Sequence, residues 1–376
     1  MQDPSSGHGA SEPLGVGPSV ARAGRRGVCM ATLRASRPRR STIIMTMNRA
    51  ASDVPSQGGR PPFFVVGSDR SGTTLLRLYL NAHPELAVPS ESWFLIDLFE
   101  RFGPTAQLEG GDIEAALAIV AEHPRFKDGW SVDVPRLRGE LVPRAPLAMA
   151  ELVDALFKAE TGIGAAGRWG DKTPEYASHI DALHACFPDA QFVHIVRDGR
   201  DVYLSLAAKR WADRGYTPYE LGRYWRTVVS AAATAGERLG PDAYLEVRYE
   251  DLVLDTVATL QRVTAFLGVQ YTPSLLSAHE DADGIITPKE RDAGVHDKLS
   301  RPPRQDDVQR WRSSRDTLRV GLAAGTMADE LTARGYQDAP TVLAALVGRN
   351  LAAYHHLWMR YVAPRLRRLL RRARMA

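Results

Sequence analysis

Residues 67–74 read Gly-Ser-Asp-Arg-Ser-Gly-Thr-Thr and follow directly on the apolar run Phe63–Val66. A pair of glycines with four residues between them, followed by hydroxyl residues that open a helix, is the pattern of a phosphate-binding loop. Gly67 and Gly72 permit a tight turn and let the backbone approach an anion closely. The N–H groups of residues 71–74 would face that anion from a helix N-terminus, where the backbone dipole favours negative charge. Arg70 adds a cation; Ser71, Thr73 and Thr74 add hydroxyl donors. One component of the nucleoside-triphosphate loop is missing, because Thr73 stands where that loop carries lysine. Without the lysine, the loop suits a phosphate-like group better than an ATP γ-phosphoryl, whose transfer wants the lysine and a carboxylate-held metal. A strand-to-helix turn without a ligand is the plainer alternative; the arginine inside the loop and the two threonines favour an anion site.

A second segment, Phe-Val-His-Ile-Val-Arg-Asp-Gly-Arg-Asp-Val-Tyr-Leu-Ser-Leu, puts Arg197 at the end of an apolar strand and Ser205 on the helix after it. In a parallel sheet the C-terminal strand ends gather at one edge, where ligands bind. Arg197 would then share a crevice with the loop at Ser71 and could grip a second phosphate. The alternative is a surface ion-pair cluster of Arg197, Asp198, Arg200 and Asp201, nearly neutral in energy. His83, His179, His184 and His194 lack metal-ligand spacing, no zinc or redox motif is present, and no metal site is assigned. His194 alternates along its strand as a core residue, and His83 precedes Pro84 in a turn.

These residues need a scaffold. Phe63–Val66 and 191–197 read as buried strands and 243–249 as a third strand, each followed by a helical pattern, the last helix stopped by Gly268. Alternating strands and helices predict an α/β fold, a single P-loop-like domain with a central parallel sheet flanked by helices. Residues 91–160 read as mostly helical, broken at Pro104, Pro124, Pro135 and Pro143–Pro146, and 280–312 as a loop. In the helix expected over 211–226, Trp211, Tyr216, Tyr219, Tyr224 and Trp225 read as core rather than as a substrate cage. The domain plan is a disordered basic tail over 1–60, a domain over 61–338, and a basic amphipathic helix over 339–376 broken at Pro364. Met30, Met45 and Met47 are alternative starts within the first segment.

The net charge of +4 conceals an asymmetry: +6 over 1–60, +8 over 339–376, and −10 between them. An acidic body repels nucleic-acid backbones, so no nucleic-acid partner is expected. Two cysteines and no secretory pattern suit a reducing, cytoplasmic setting. No stretch approaches the ~20 apolar residues that span a bilayer. The basic tail over 345–376 is either solvated or laid on an anionic membrane at its inner face.

Together, residues 67–92, the Arg-Trp-Gly-Asp-Lys-Thr-Pro-Glu-Tyr segment, the Arg197 segment and Val-Arg-Tyr-Glu-Asp resemble the sulfotransferases that use 3′-phosphoadenosine-5′-phosphosulfate (PAPS). The first segment is most similar to the branch containing the tyrosylprotein sulfotransferases and to related bacterial enzymes. The resemblance covers roughly 61–312 and implies a metal-free O-sulfotransferase with PAPS as co-substrate. It implies that Arg70, Ser71, Gly72, Thr73 and Thr74 hold the 5′-phosphosulfate. Arg197 and Ser205 would hold the 3′-phosphate, Tyr249 would help hold the nucleotide, and Arg301 would close over it. Glu91 matches the catalytic base, and Lys172 would stabilise the leaving oxygen. Two departures stand out: Pro89-Ser90-Glu91 replaces a Gly-Glu-Glu run, and Arg301 replaces a lysine. The acceptor hydroxyl stays open among glycolipid, sugar, natural product and protein tyrosine. An ATP-dependent kinase with a degenerate loop and an inactive nucleotide-binding relative remain the alternatives.

Overall fold

The computed structural model describes residues 60–164, 166–208, 215–279, 301–336 and 338–366. The 1–59 tail, Trp211, the loop positions 280–300 and the last residues, 367–376, lie outside the described residues.

One five-stranded sheet organises the domain. Its strands are β1 (Phe63–Val66), β2 (Leu86–Ala87), β5 (Arg168–Lys172), β6 (Gln191–Val196) and β7 (Tyr244–Arg248), in the order β2-β5-β1-β6-β7. Every neighbouring pair is parallel. From β1 the chain goes first to the β5–β2 side and then to the β6–β7 side, so the C-terminal ends of the central strands frame a crevice at a change of direction. The two remaining strands, β3 (Gln107–Leu108) and β4 (Leu147–Ala148), form a short antiparallel ladder between the helices.

β1 shows why the sheet is central. Its four apolar residues are buried on both faces, as expected of a strand covered on each side. Phe64 and Val66 join the core beneath α2 (Phe94–Phe102), α3 (Gly110–Glu122), α6 (Met149–Thr161) and α7 (Ile180–Cys186). Phe63 and Val65 join the core of α1 (Thr73–Asn81), α10 (Tyr249–Leu254) and α11 (Thr256–Phe266). The period of two thus makes three layers from four residues. A third cluster joins α8 (Gly199–Ala207), α9 (Pro218–Leu239) and α12 (Thr317–Ala333).

β5 has no apolar run to announce it, yet it is buried throughout. Its Gly170 pairs with Phe63, and the Phe63 ring fills the place of a side chain: a Cβ there would come within 2.4 Å of Cζ. The prolines of the helical insert act as helix openers more than as breakers. Pro124 starts α4 (Pro124–Gly129), and Pro135 lies in the first turn of α5 (Val134–Leu141).

α13 (Val342–Leu357) lies across α12 at a glycine pair: a Cβ on Gly325 would approach the Gly348 Cα to 2.8 Å. The expected break at Pro364 is not seen. A π-helical turn over Trp358–Val362 precedes the proline, and helix resumes from 363 to 366. The wider turn re-routes the hydrogen-bond ladder that a proline would otherwise obstruct.

Two glycines of α12 offer a matched test. Gly321→Ala, with nothing within 4 Å of its new methyl, is expected to stabilise by about 0.5–1 kcal/mol through helix propensity. Gly325→Ala must push apart two backbones and is expected to cost roughly 1–3 kcal/mol. Opposite shifts of the denaturation midpoint would show it; equal shifts would refute the close crossing.

Candidate active site

Residues 67–72 turn from β1 into α1 at the sheet edge. Gly72 has φ 97 and Arg70 has φ 68, so two left-handed residues bend the loop. Such a conformation is routine for glycine and costs a non-glycine residue of order 1–3 kcal/mol. Gly72 also has no room for a side chain, because a Cβ would lie 2.3 Å from the Tyr249 ring. No side chain caps α1 at Gly72, which leaves the first-turn amides turned outward. Within the loop, the Ser68 and Ser71 hydroxyls hydrogen-bond at 2.6 Å.

Arg70 and Arg197 meet across the crevice. Arg70 Nε donates to Ser205 Oγ at 3.0 Å, and Arg197 Nη1 donates to the Arg70 carbonyl at 3.4 Å. The Arg197 guanidinium lies over the Tyr249 ring, 4.3 Å from its centre, a cation–π contact. Its Nη2 donates to the Asp307 carbonyl at 2.8 Å and to Asp201 Oδ2 at 3.3 Å, while its buried Nε has no hydrogen-bond partner among the described residues. Arg301 pairs with the Asp307 carboxylate at 3.0 Å, on the same residue whose carbonyl Arg197 contacts. The ion-pair cluster of Arg197, Asp198, Arg200 and Asp201 exists, but all four residues are buried rather than at the surface. Arg200 is held by both Asp198 oxygens and lies over the Trp311 ring at 3.7 Å.

α9 reaches both halves. The Tyr224 hydroxyl accepts the Asp69 N–H at 3.1 Å, and Trp225 Nε1 donates to the Arg197 carbonyl at 3.1 Å.

Glu91 and Lys172 form an ion pair of 2.5 Å. Lys172 is 0% exposed and also donates to Thr74 Oγ1 at 3.4 Å, so its ammonium links the carboxylate to the start of α1. Trp93 Nε1 donates to the second Glu91 oxygen at 2.8 Å, and Arg125 lies 3.9 Å from it. Burial pushes the Glu91 carboxyl up, but the cations Lys172 and Arg125 and the two hydrogen bonds outweigh it and hold it at about 2.

A second contact runs beside the first. Asp171 points away from Lys172, as neighbours on a strand do. It accepts from Ser92 Oγ at 2.5 Å and from Thr173 Oγ1 at 2.8 Å. The Ser92 N–H donates to Thr173 Oγ1 at 3.1 Å, and the Ser92 hydroxyl also meets the Tyr176 hydroxyl at 2.7 Å. Glu91–Ser92 and Lys172–Asp171 are therefore two rungs between one loop and one strand end. Burial pushes the Asp171 carboxyl up to about 7, against the Ser92 and Thr173 hydrogen bonds, with the Glu91 charge adding to the rise.

The structure thus gathers Arg70, Ser71, Gly72, Thr73, Thr74, Arg197, Ser205, Tyr249 and Arg301 around one crevice, with Glu91 and Lys172 at its β5 side. Sequence reasoning missed Ser92, Asp171, Tyr176, Arg125, Asp307 and the Tyr224 contact. It also missed Glu175, whose carboxyl burial and the Asp69 charge push up to about 7. The glutamate in Thr-Pro-Glu-Tyr, directly after the lysine motif, was the available signal. His83 and His194 serve their own surroundings: His83 Nε2 meets the Gln270 carbonyl at 2.7 Å, and His194 Nδ1 the Tyr244 hydroxyl at 2.5 Å. Among the described residues no group of three or more His, Cys, Asp or Glu could hold a metal ion.

Asp171 gives a pH prediction. Its folded value lies above the usual carboxylate range, so its contribution to stability is complete below about pH 4 and is lost as pH rises through about 7. Asp171→Asn is expected to flatten the fall of the denaturation midpoint between those limits. An unchanged slope would show that another group carries it.

Comparison with known proteins follows the same segments. Residues 61–273 match the model of the sulfotransferase family. The chain is 24% identical over 256 residues to protein-tyrosine sulfotransferase A of Caenorhabditis elegans, covering 67% of this chain and 61% of that protein. It is 28% identical over 234 residues to nodulation protein NoeE of Sinorhizobium fredii, covering 56% and 50%. The chain therefore spans between half and two thirds of the length of these relatives. Among solved structures, the sulfotransferase domain of the Synechococcus PCC 7002 olefin synthase is 26% identical with a TM-score of 0.51, covering 73% of this chain and 95% of that domain. The match runs through the loop, both arginine-bearing segments and the Glu91–Lys172 pair, over more than half of the chain, and the chain belongs to the sulfotransferase family.

Proposed function

We propose that the protein transfers a sulfuryl group from PAPS to an acceptor hydroxyl, with Glu91 as the base and Lys172 beside the leaving oxygen. The observation that carries this reading is the Lys172 ammonium, 2.5 Å from Glu91 and 3.4 Å from Thr74. In a nucleoside-triphosphate loop the matching hydroxyl serves a magnesium ion. Here that hydroxyl faces a fixed cation delivered by the neighbouring strand. The missing loop lysine is thus answered by an ammonium from β5, placed next to a carboxylate.

The residues present fit a ligand with two anionic ends. One end is served by the uncapped start of α1 with Ser71, Thr73, Thr74 and Arg70. The other is served by Arg197, whose buried Nε lacks a partner, together with Ser205. Tyr249 lies against both Gly72 and Arg197, and Arg301 joins through Asp307. PAPS supplies a sulfuryl group on a phosphate leaving group. In the transfer, a bond forms between the acceptor oxygen and sulfur while the sulfur–phosphate bridging bond breaks. The acceptor proton goes to Glu91, and adenosine 3′,5′-bisphosphate leaves. The enzyme's work is alignment and charge neutralisation.

The resting pair imposes an order on these events. A carboxyl held at about 2 is a weak base. Engagement of Lys172 by the leaving group withdraws its charge from Glu91 and strengthens the base when the acceptor must lose its proton. The acceptor's class stays with the alternatives named from the sequence: glycolipid, sugar, natural product or protein tyrosine.

Calorimetry with adenosine 3′,5′-bisphosphate and with Mg-ATP in parallel tests the co-substrate. Binding of the bisphosphate without added metal is expected, weakened about tenfold or more in Arg197→Ala. Binding of Mg-ATP alone would replace this reading with the kinase one. Glu91→Gln is expected to lower turnover by about 10²–10⁴ and Lys172→Ala by about 10²–10³, each with bisphosphate affinity nearly kept. Near wild-type turnover in either variant would remove that residue from its role.

The pH dependence carries the second test. The acid limb of kcat/KM, which reports the free enzyme, is expected below that of kcat, which reports the bound complex. Arg125→Ala should move the kcat/KM limb upward, because Glu91 loses one of the cations that depress it. Coincident limbs, unmoved by the substitution, would contradict the coupling.

A further inference from the structure

α13 is amphipathic in the wrong sense for a helix that closes a core. The side facing the protein is made of small residues: Gly348 meets Gly325 of α12, and Ala352 is fully buried. His356 anchors the same side through Thr217 at 3.2 Å. The large apolar residues point outward. Leu343, Leu346, Val347, Leu351, Tyr354 and Trp358 recur at helical spacing, and all are exposed, Leu343 by 73% and Tyr354 by 74%. The stripe continues through Tyr361 in the π-helical turn to Leu366 after it. Surface helices ordinarily bury such a stripe, and an exposed apolar patch of this kind marks an interaction surface.

Charge selects the occupant. Residues 339–376 hold eight arginines and no acidic residue, whereas residues 61–338 carry a net charge of −10. Arg349 is exposed on α13, Arg360 in the π-helical turn and Arg365 in the helix that follows it. A second copy of the chain seated on this face would bring two strongly positive segments together. An anionic bilayer offers negative charge and an apolar layer at once, and Trp and Tyr side chains favour its interface. We infer that α13 docks the protein on an anionic lipid surface, its apolar stripe entering the boundary between headgroups and acyl chains while its arginines meet lipid phosphates. Among the described residues no helix is long and apolar enough to cross a membrane. The contact therefore lies in the plane of the interface. It stands apart from the sulfuryl-transfer reading, since no residue of the crevice takes part.

Flotation of the full chain with vesicles decides the matter. Vesicles of phosphatidylcholine alone are compared with vesicles in which phosphatidylglycerol is mixed. The protein is expected to float with the anionic vesicles, much less with the neutral ones, and to be released by salt. Leu346→Glu/Leu351→Glu, at exposed positions, should weaken the partition by about tenfold or more, with circular dichroism and thermal midpoint unchanged. Arg360→Ser/Arg365→Ser should weaken it by roughly tenfold. Failure to float with anionic vesicles, equal binding to neutral ones, or full binding by the leucine variant would overturn the proposal. So would light scattering that shows a wild-type dimer dissolved by the leucine substitutions without vesicle binding, which would assign the face to a second copy.

Discussion

The site depends on one buried cation. Lys172 has lost all contact with water, and an ammonium in that position needs compensating charge and hydrogen bonds. Glu91 supplies the charge and Thr74 the second acceptor. The requirement fixes three segments at once: the end of β5, the loop ahead of α2 and the first turn of α1. It also explains the neighbouring rung. Because β5 alternates, Asp171 faces away from Lys172, and Ser92 follows Glu91 to meet it. A shift of one residue along either segment would break both rungs together. The register of β5 against β1, Gly170 opposite Phe63, is therefore a statement about the placement of the lysine as much as about the sheet.

The arginines divide between two kinds of work. Arg168 and Arg200 satisfy the backbone and carboxylates around them: Arg168 donates to the Pro62 and Leu267 carbonyls, and Arg200 to Asp198. Arg70 and Arg197 instead line the crevice, one in a left-handed backbone conformation and the other with a buried Nε left unpaired. Strain and an unmet hydrogen bond lie at the same place, and both features recur at functional sites. Burial of the whole Arg197 cluster also removes the surface ion-pair reading, because exposed pairs tolerate poor geometry and these have little freedom to do so.

Three strands were legible in the sequence for a physical reason. β1 and β6 are covered on both faces, and burial on two faces writes an apolar run; β7, at the sheet edge, is half-buried and reads through its alternating apolar residues. β5 is buried as deeply but reads Arg-Trp-Gly-Asp-Lys, since its charged groups find partners far along the chain: Pro62, Ser92 and Glu91. β2 is a two-residue edge strand, too short to leave a pattern. The phosphate-like loop was legible because all its parts lie within eight residues. Arg197 and Ser205 followed from one strand and its helix. Glu91 and Lys172 came from family resemblance, not from any pattern of their own. Ser92, Arg125 and Tyr224 were invisible because they reach the crevice only when separate helices are folded over it. The proline at 364 misled because local chemistry allowed for a break but not for a wider helical turn upstream.

α9 holds the two halves of the crevice through adjacent residues, Tyr224 on the loop after β1 and Trp225 on the end of β6. A single helix thus acts as a calliper on the gap between the Arg70 loop and the Arg197 strand end. Ligands whose charged groups are spaced to that gap fit without moving anything; shorter or longer ones must bend a 22-residue rod or leave one pocket unfilled. On the proposed sulfuryl-transfer reading, selectivity for the donor is then a matter of length as well as of charge, set by a part of the protein that need not touch the donor at all.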